Sequence, residues 1–449
     1  MKRIVAVACA GLVWVACDPQ YPDWGLEAIE GMQTPPDDPT LGCGVVIPPD
    51  THTQARAQCA FGAGSHASDS LGIDEATRAR IPIRHVIVMM KENRSFDHLL
   101  GRIDVLQPNA DVAPPGYSNP DTSGNRVFPM HATTTCIPYD PNHQAQAIAL
   151  CIDGGAMDGF VRNAALSTGS DGTFAISFYD QTDLPYDYWV ASTFALSDRH
   201  FAPMASGTFA NRDFMMFGTN AGVVDTGILY PPPNTPSIFQ ELINAGFTWG
   251  VYADEGPLSD SLDWSLDSPG VHPVQALLDA LDQGTLPNVA FVDGRENIED
   301  EHPEADVQVG EAWTKNILDH VFTSPEWMRL AVVWTYDEGG AFADHVPPPS
   351  ACPALPSDST FTEMGPRVPL AVISPWAKRH YVSHVVHDHT AITRFVETLF
   401  DLPALTARDA NSDALFDLFD FSCARDLSVP AAPATGTGGC PNPPPPGAD

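Results

Sequence analysis

The chain has 449 residues, 43% of them hydrophobic, enough to bury a large core and too many for a globally disordered polymer. Lys and Arg number 22 against 57 Asp and Glu, and the resulting formal charge of -35 repels polyanions. Nucleic acid is therefore excluded as a partner, and any anionic ligand needs a locally positive site.

The first segment, MKRIVAVACAGLVWVACDPQ, places Lys2 and Arg3 before an apolar or small-residue run from Ile4 to Ala16, followed by Cys17. This pattern predicts a secretion signal over residues 1–17, too short to span a bilayer, and hence an exported protein. Cys17 after WVA is similar to the lipidated cysteine of bacterial lipoproteins. A membrane tether through a lipidated Cys17 in the cell envelope and cleavage with secretion both remain open. Residues 18–81 are rich in Pro, Gly, Asp and Thr and predict an N-terminal tether with loops.

Beyond Cys9 and Cys17 the cysteines are Cys43, Cys59, Cys136, Cys151, Cys352, Cys423 and Cys440. In an exported chain they should largely pair. Local bridges Cys43–Cys59 and Cys136–Cys151 and a longer Cys352–Cys423 bridge are expected, with Cys440 left over. Spacing does not fix connectivity. No CxxC pair occurs, which argues against a zinc cluster.

Residues 82–402 form one large predicted domain. The runs HVIVMM, NVAFVDG, LAVVWTY and PLAVISPW show no polar alternation, and each leads into polar, loop-like sequence. Such runs predict strands buried on both faces of a mostly parallel sheet, with helices between them in VGEAWTKNILDHVF and TAITRFVETLF. The fold class is α/β, a central sheet covered by helices on both faces. Ligands of such sheets bind beyond the carboxyl ends of the strands. Residues 403–449, a short acidic segment and a Pro-rich tail, build no core of their own, and no repeat of fixed period occurs.

Chemistry gathers at those strand ends. Glu92 and Asn93 follow the first strand in KENRSFDH, and Asp337 and Glu338 follow LAVVWTY. Three carboxylates and an amide converging would repel one another without a cation, and oxygen-only donors suit a hard divalent ion. Taken singly, each is equally a solvated loop acid. In HFAPMASGTFANRDF, Thr208 follows Gly207 and opens a helical stretch. Its hydroxyl can be an ordinary cap, or a nucleophile where backbone N–H groups and the helix dipole favour phosphate. Candidate histidines are His143, His302, His345 and the group His384, His387, His389, able to contact a phosphoryl oxygen or protonate a leaving group. Asp344 and His345, ahead of a triple proline, also fit a stiffened loop.

HVIVMMKENRSFDHLLG, GTFANR, DEHPEAD, TYDEGGAFADHVPPP and GPRVPLAVISPWAK occur in this order, and together they resemble the bacterial phosphoesterase family that contains phospholipases C and an acid phosphatase. The resemblance covers about residues 82–402. It implies an alkaline-phosphatase-like fold and hydrolysis of phosphoric esters, phosphomonoester or phospholipid, through a covalent phosphoenzyme. It also implies one divalent metal ion, whether calcium, magnesium, manganese or zinc, at Glu92, Asn93, Asp337 and Glu338. Thr208 falls at the nucleophile position, and His302 and His143 match histidines that bind the phosphoryl group or assist the leaving group. Where relatives commonly read YDEHGGFFDHVPPP, this chain has Gly339, Ala341 and Ala343, so the pocket wall differs. His272, between Thr208 and His302, matches no family motif. The alternative class is a surface lipoprotein that binds phosphate-bearing ligands on this scaffold without turnover. Sulfate-ester hydrolysis lacks support, since no Cys-x-Pro-x-Arg motif is present. Oligomeric state and headgroup preference are not legible.

Overall fold

The computed structural model describes residues 44–222, 224, 235–255, 270–355, 362–422 and 428–440. The predicted signal, Cys17, Cys43, Cys423 and residues 441–449 lie outside the described residues.

Eight strands make the central sheet: β1 (His85–Lys91), β2 (Ala195–Ser197), β3 (Trp249–Tyr252), β4 (Val271–His272), β5 (Val289–Val292), β6 (Leu330–Tyr336), β7 (Leu370–Ile373) and β8 (Tyr381–Ser383). Their spatial order is β8-β2-β7-β6-β1-β5-β3-β4. Only β7 runs against the rest, antiparallel to both β6 and β2. All four apolar runs singled out in the sequence are strands: β1, β5, β6 and β7. Every residue of β5, β6 and β7 is buried, and so is every residue of β1 after His85, because both faces of the sheet are covered.

Two sets of helices do the covering. Thr208–Phe217, Ile238–Asn244 and His389–Phe400 pack on one another, and Pro185–Thr193, Val274–Gln283 and Val307–Thr323 form the other set. Helix Val274–Gln283 buries Val274, Leu277, Leu278 and Leu281, the i, i+3, i+4, i+7 stripe of an amphipathic surface helix, and ends on Gly284 in the left-handed conformation. His389–Phe400 is buried along its whole length.

The segment before the sheet is knitted into the body. Ala67, Leu71 and Ile73 form an apolar cluster with Ala414. Asn411 accepts from Phe61 N–H at 3.1 Å and donates to Phe61 C=O at 2.7 Å, and Arg394 donates to Ser70 Oγ at 2.6 Å. At the other end, Gly436, Gly438 and Gly439 N–H groups donate to Glu311, Gln308 and Asp306, laying residues 436–439 along the start of helix Val307–Thr323.

The cysteine pairing expected from spacing is overturned. Cys59 bonds Cys352, with Cα atoms 5.5 Å apart, and Cys136 bonds Cys440 at 5.9 Å. Cys440 is thus not left over. Among the described residues Cys151 is the free thiol, fully buried beside Ile148, Ile152, Met157 and Phe160, where it packs as a small apolar side chain. Neighbours in sequence were a poor guide because the entropy of closing a loop grows only slowly with its length, so tertiary proximity decides the partner.

One buried ion pair fastens the helix His389–Phe400. Asp388 is its N-cap, accepting from Thr390 N–H at 2.8 Å, and its other oxygen accepts from Arg408 Nε at 2.8 Å. Burial alone would raise the Asp388 carboxyl, but Arg408 and Thr390 outweigh it and hold it below the usual carboxylate range. A depressed carboxyl stabilises the fold above its unfolded pKa, near 3.9, and loses that contribution as pH falls through the folded value. Asp388→Asn keeps the cap and strands Arg408. It should cost about 3 kcal/mol near neutral pH, with the gap to wild type closing as pH falls below about 4, read by denaturant unfolding across that range.

Candidate active site

Register fixes the first pair of acids. β1 and β6 are parallel neighbours with Lys91 opposite Tyr336, so the next residues, Glu92 and Asp337, leave the sheet side by side. The chains stay joined past the strand ends: Asp337 N–H donates to Lys91 C=O at 2.9 Å and Asn93 N–H to Asp337 Oδ1 at 3.1 Å. Asn93 has φ +59, the left-handed region that Asn tolerates better than most residues, and this turns the chain sharply after the strand. Glu338 N–H donates to Asp337 Oδ1 at 2.7 Å, and Gly340 N–H to Glu338 Oε2 at 2.7 Å.

Thr208 enters from the helix Thr208–Phe217, of which it is the first residue, after Gly207 at the N-cap. Its hydroxyl donates to Glu92 Oε2 at 3.1 Å. It caps nothing, since no side chain caps this helix. One turn on, Arg212 shares that helix face and threads between the acids, with Glu92 Oε1 at 2.8 Å, Asp293 Oδ1 at 2.9 Å and Asp337 Oδ2 at 3.5 Å. Asp293 arrives from the end of β5, on the other side of β1.

Histidines close the pocket. His143 Nε2 lies 3.8 Å from Glu338 Oε1, and its Nδ1 3.3 Å from Asp140. His302 faces it, with ring centroids 6.1 Å apart and Nε2 at 4.0 Å from Asp140 Oδ2. Burial pulls His143 down, but Glu338 and Asp140 overcome it and push it up to about 10, whereas burial keeps His302 below its ordinary value. Behind the acids, His389 Nε2 donates to the Asp337 carbonyl at 2.7 Å.

The structure therefore brings Glu92, Asn93, Thr208, Asp337, Glu338, His143 and His302 to one pocket. The remaining candidates lie elsewhere. His345 pairs with Asp97 at 2.7 Å and Asp111 at 3.2 Å, in a knot with Arg367 and Asp344 that fits a stiffened loop. His384 is exposed on Asp198, and His272 sits at the sheet edge against Tyr252. Sequence reasoning missed Arg212, Asp293 and Asp140. Arg212 had a usable signal, four residues after Thr208 in GTFANR, and Asp140 had one, three residues before His143.

The donor set suits a divalent cation. Asn93 Oδ1, Asp337 Oδ2 and Glu338 Oε1 are all buried without a hydrogen-bond partner, although an orphaned buried acceptor costs about 1–3 kcal/mol. Glu92 is raised well above the ordinary carboxylate by burial and then by Asp337, with Arg212 offsetting only part, and burial lifts Glu338 to about 8. More positive charge than one guanidinium is called for. The ligand atoms of Asp140, His143 and His302 lie within 4.8 Å of one another, a closeness the Glu92–Asp337–Glu338 trio does not reach. Glu338 is turned to His143, and one ion touched by all four donors would require it to swing inward.

A buried hydroxyl at a helix N-terminus is thus set against acids beyond the carboxyl ends of parallel strands, where α/β sheets bind their ligands. The chain belongs to the Phosphoesterase family, whose family model matches residues 83–403. It is 30% identical over 372 residues to non-specific phospholipase C1 of Arabidopsis thaliana, covering 73% of this chain and 69% of that one. It is 27% identical over 407 residues to phospholipase C A of Mycobacterium tuberculosis, covering 76% and 78%. Among solved structures, PsFucS1 sulfatase from Pseudoalteromonas sp. aligns with 78% of this chain and 75% of its own at 11% identity, with a TM-score of 0.38. The protein is a hydrolase acting on phosphoric esters. No helix among the described residues is long and apolar enough to cross a membrane.

Gly339, where relatives have a histidine, and Gly340, which they share, have unequal tolerance for a side chain. A Cβ on Gly339 would meet Ser95 and Pro366 at 3.5 and 3.6 Å, ordinary contacts, whereas Gly340 has φ +58 and a Cβ there would lie 2.4 Å from the Asn93 carbonyl oxygen. Gly340→Ala should destabilise the protein by at least about 1–2 kcal/mol and displace Asn93, while Gly339→Ala should stay within about 0.5 kcal/mol of wild type, both read by denaturant unfolding.

Proposed function

We propose that the protein cleaves phosphoric esters of the phospholipase C type with Thr208 as nucleophile, in a pocket where Glu92, Asn93, Asp337 and Glu338 hold one divalent ion. The observation that carries this reading is the Thr208 hydroxyl donating to Glu92 beside three buried oxygens that have no hydrogen-bond partner. A bound ion would supply positive charge that lowers the hydroxyl pKa and neutralises the phosphoryl oxygens. Everything else falls to the chain's own residues.

Glu92 Oε2, already the acceptor of the Thr208 proton, takes it as Oγ1 bonds to phosphorus and the phosphorus–oxygen bond to the leaving group breaks. Arg212 keeps Glu92 and Asp337 in place and adds a fixed positive charge behind them. The departing alkoxide needs a proton. His143, held protonated by Glu338 and Asp140, supplies it, and His302, whose side chain is 22% exposed against 10% for His143, faces the phosphoryl oxygens from the more open side. Water then attacks the phosphothreonine and passes a proton to the histidine that served the leaving group, the phosphorus–Oγ1 bond breaks, and Glu92 returns its proton to the threonine.

The relatives named phospholipase C favour a phospholipid diester, a substrate that a tether through Cys17 would keep near lipid. A binding protein without turnover is disfavoured by the complete set of acids, amide and hydroxyl in one pocket. Thr208→Ala should abolish turnover of p-nitrophenyl phosphorylcholine with an unchanged unfolding midpoint, and chelator should abolish it in wild type until a divalent ion is restored. Full activity in the variant would remove the nucleophile assignment. Hydrolysis of p-nitrophenyl phosphate alone would shift the substrate to a phosphomonoester, and hydrolysis of neither would favour the binding protein.

A further inference from the structure

We propose that His387, Asp413 and Asp417 form a second, non-catalytic site for a zinc-type divalent ion, which fastens the Asp413–Asp417 loop to the body. His387 Nε2 lies 3.4 Å from Asp413 Oδ1 and 3.4 Å from Asp417 Oδ1, and the three atoms are all within 4.8 Å of one another. A direct hydrogen bond would draw nitrogen and oxygen to about 2.9 Å. Ligands about 2.0–2.1 Å from a tetrahedral zinc ion are instead separated by about 3.4 Å, the spacing found on both edges.

A second observation points the same way. The His387 side chain is wholly buried and its Nε2 has no hydrogen-bond partner, and Asp417 Oδ1 has none either. Two lone-pair atoms are thus aimed into one small space with no proton shared well between them. A buried polar atom without a hydrogen bond is costly, and an ion would satisfy it. One imidazole and two carboxylates balance a doubly charged ion and suit zinc or manganese better than the all-oxygen sites of calcium or magnesium.

The surroundings hold each ligand from behind. Ser197 Oγ stands 3.3 Å from His387 Nδ1, which fixes the ring with Nε2 forward. Ser383 Oγ donates to the other oxygen of Asp417, and Leu415 N–H donates to Asp413 Oδ1 at 3.0 Å. The two carboxylates are 23% and 21% exposed, and both line a groove with Val45, Lys378 and Phe416, so the fourth position of the ion opens to solvent there. None of the three ligands touches Thr208, Glu92 or Asp337. The ion would join His387, paired in a short ladder with His200, to the segment that follows the family-matched region.

The test is metal content. Full-length protein is stripped with chelator, reloaded with zinc and desalted, and zinc per chain is measured by atomic emission for wild type and for Asp413→Asn/Asp417→Asn. The wild type should hold one more zinc per chain than the double variant, and p-nitrophenyl phosphorylcholine turnover under the same loading should be equal in the two. Equal zinc content would overturn the site and reduce the cluster to an imidazolium between two acids. Should the variant not fold, anomalous diffraction at the zinc edge on zinc-soaked wild-type crystals decides: a peak bonded to His387 Nε2 supports the site, and density elsewhere only, the Thr208 pocket included, overturns it.

Discussion

The register of two neighbouring strands organises this protein. Because β1 and β6 run parallel with Lys91 opposite Tyr336, two carboxylates emerge together into a buried space, where they repel each other and lose their hydration. That arrangement is unstable alone, since burying charge costs several kcal/mol per ion unless it is compensated. Arg212 supplies the compensation the chain can supply by itself. It reaches in from the same helix that carries Thr208, so the element that neutralises the acids also delivers the hydroxyl. Stability and chemistry are coupled through one helix turn.

Seen this way, the tight packing around the pocket has a purpose. Gly340 can adopt a left-handed turn and lets the loop after β6 lie against the Asn93 carbonyl, which keeps the Asn93 amide among the acids. His389 steadies the Asp337 carbonyl from the buried helix behind. Farther out, the Cys136–Cys440 bridge and the contacts of residues 436–439 with helix Val307–Thr323 tie down the stretch just ahead of Asp140 and His143. Catalytic geometry of this kind depends on supports that contact no substrate.

The parts of this that were legible in the sequence share a property: they are local. Unalternating apolar runs such as LAVVWTY announce buried strands, and acids directly after them announce a site, because strand ends are where an α/β sheet presents its loops. The ordered motifs then gave the family. What escaped was long-range. The cysteine partners could not be read because nothing in spacing says that Cys59 meets Cys352 across 293 residues. Arg212 and Asp293 escaped because their role exists only where three strand ends and a helix converge. His387 was visible merely as one of three clustered histidines, yet its neighbours His384 and His389 face an exposed aspartate contact and the Asp337 carbonyl respectively.

The central claim is that Thr208 itself carries the phosphoryl group between the two halves of the reaction. The direct measurement is wild-type enzyme mixed with p-nitrophenyl phosphorylcholine, acid-quenched during turnover and digested for mass spectrometry. The account predicts one added phosphorylcholine group on the peptide holding Thr208, absent when chelator precedes substrate. Rapid turnover with that peptide unmodified throughout, or with the label on another side chain, would contradict it.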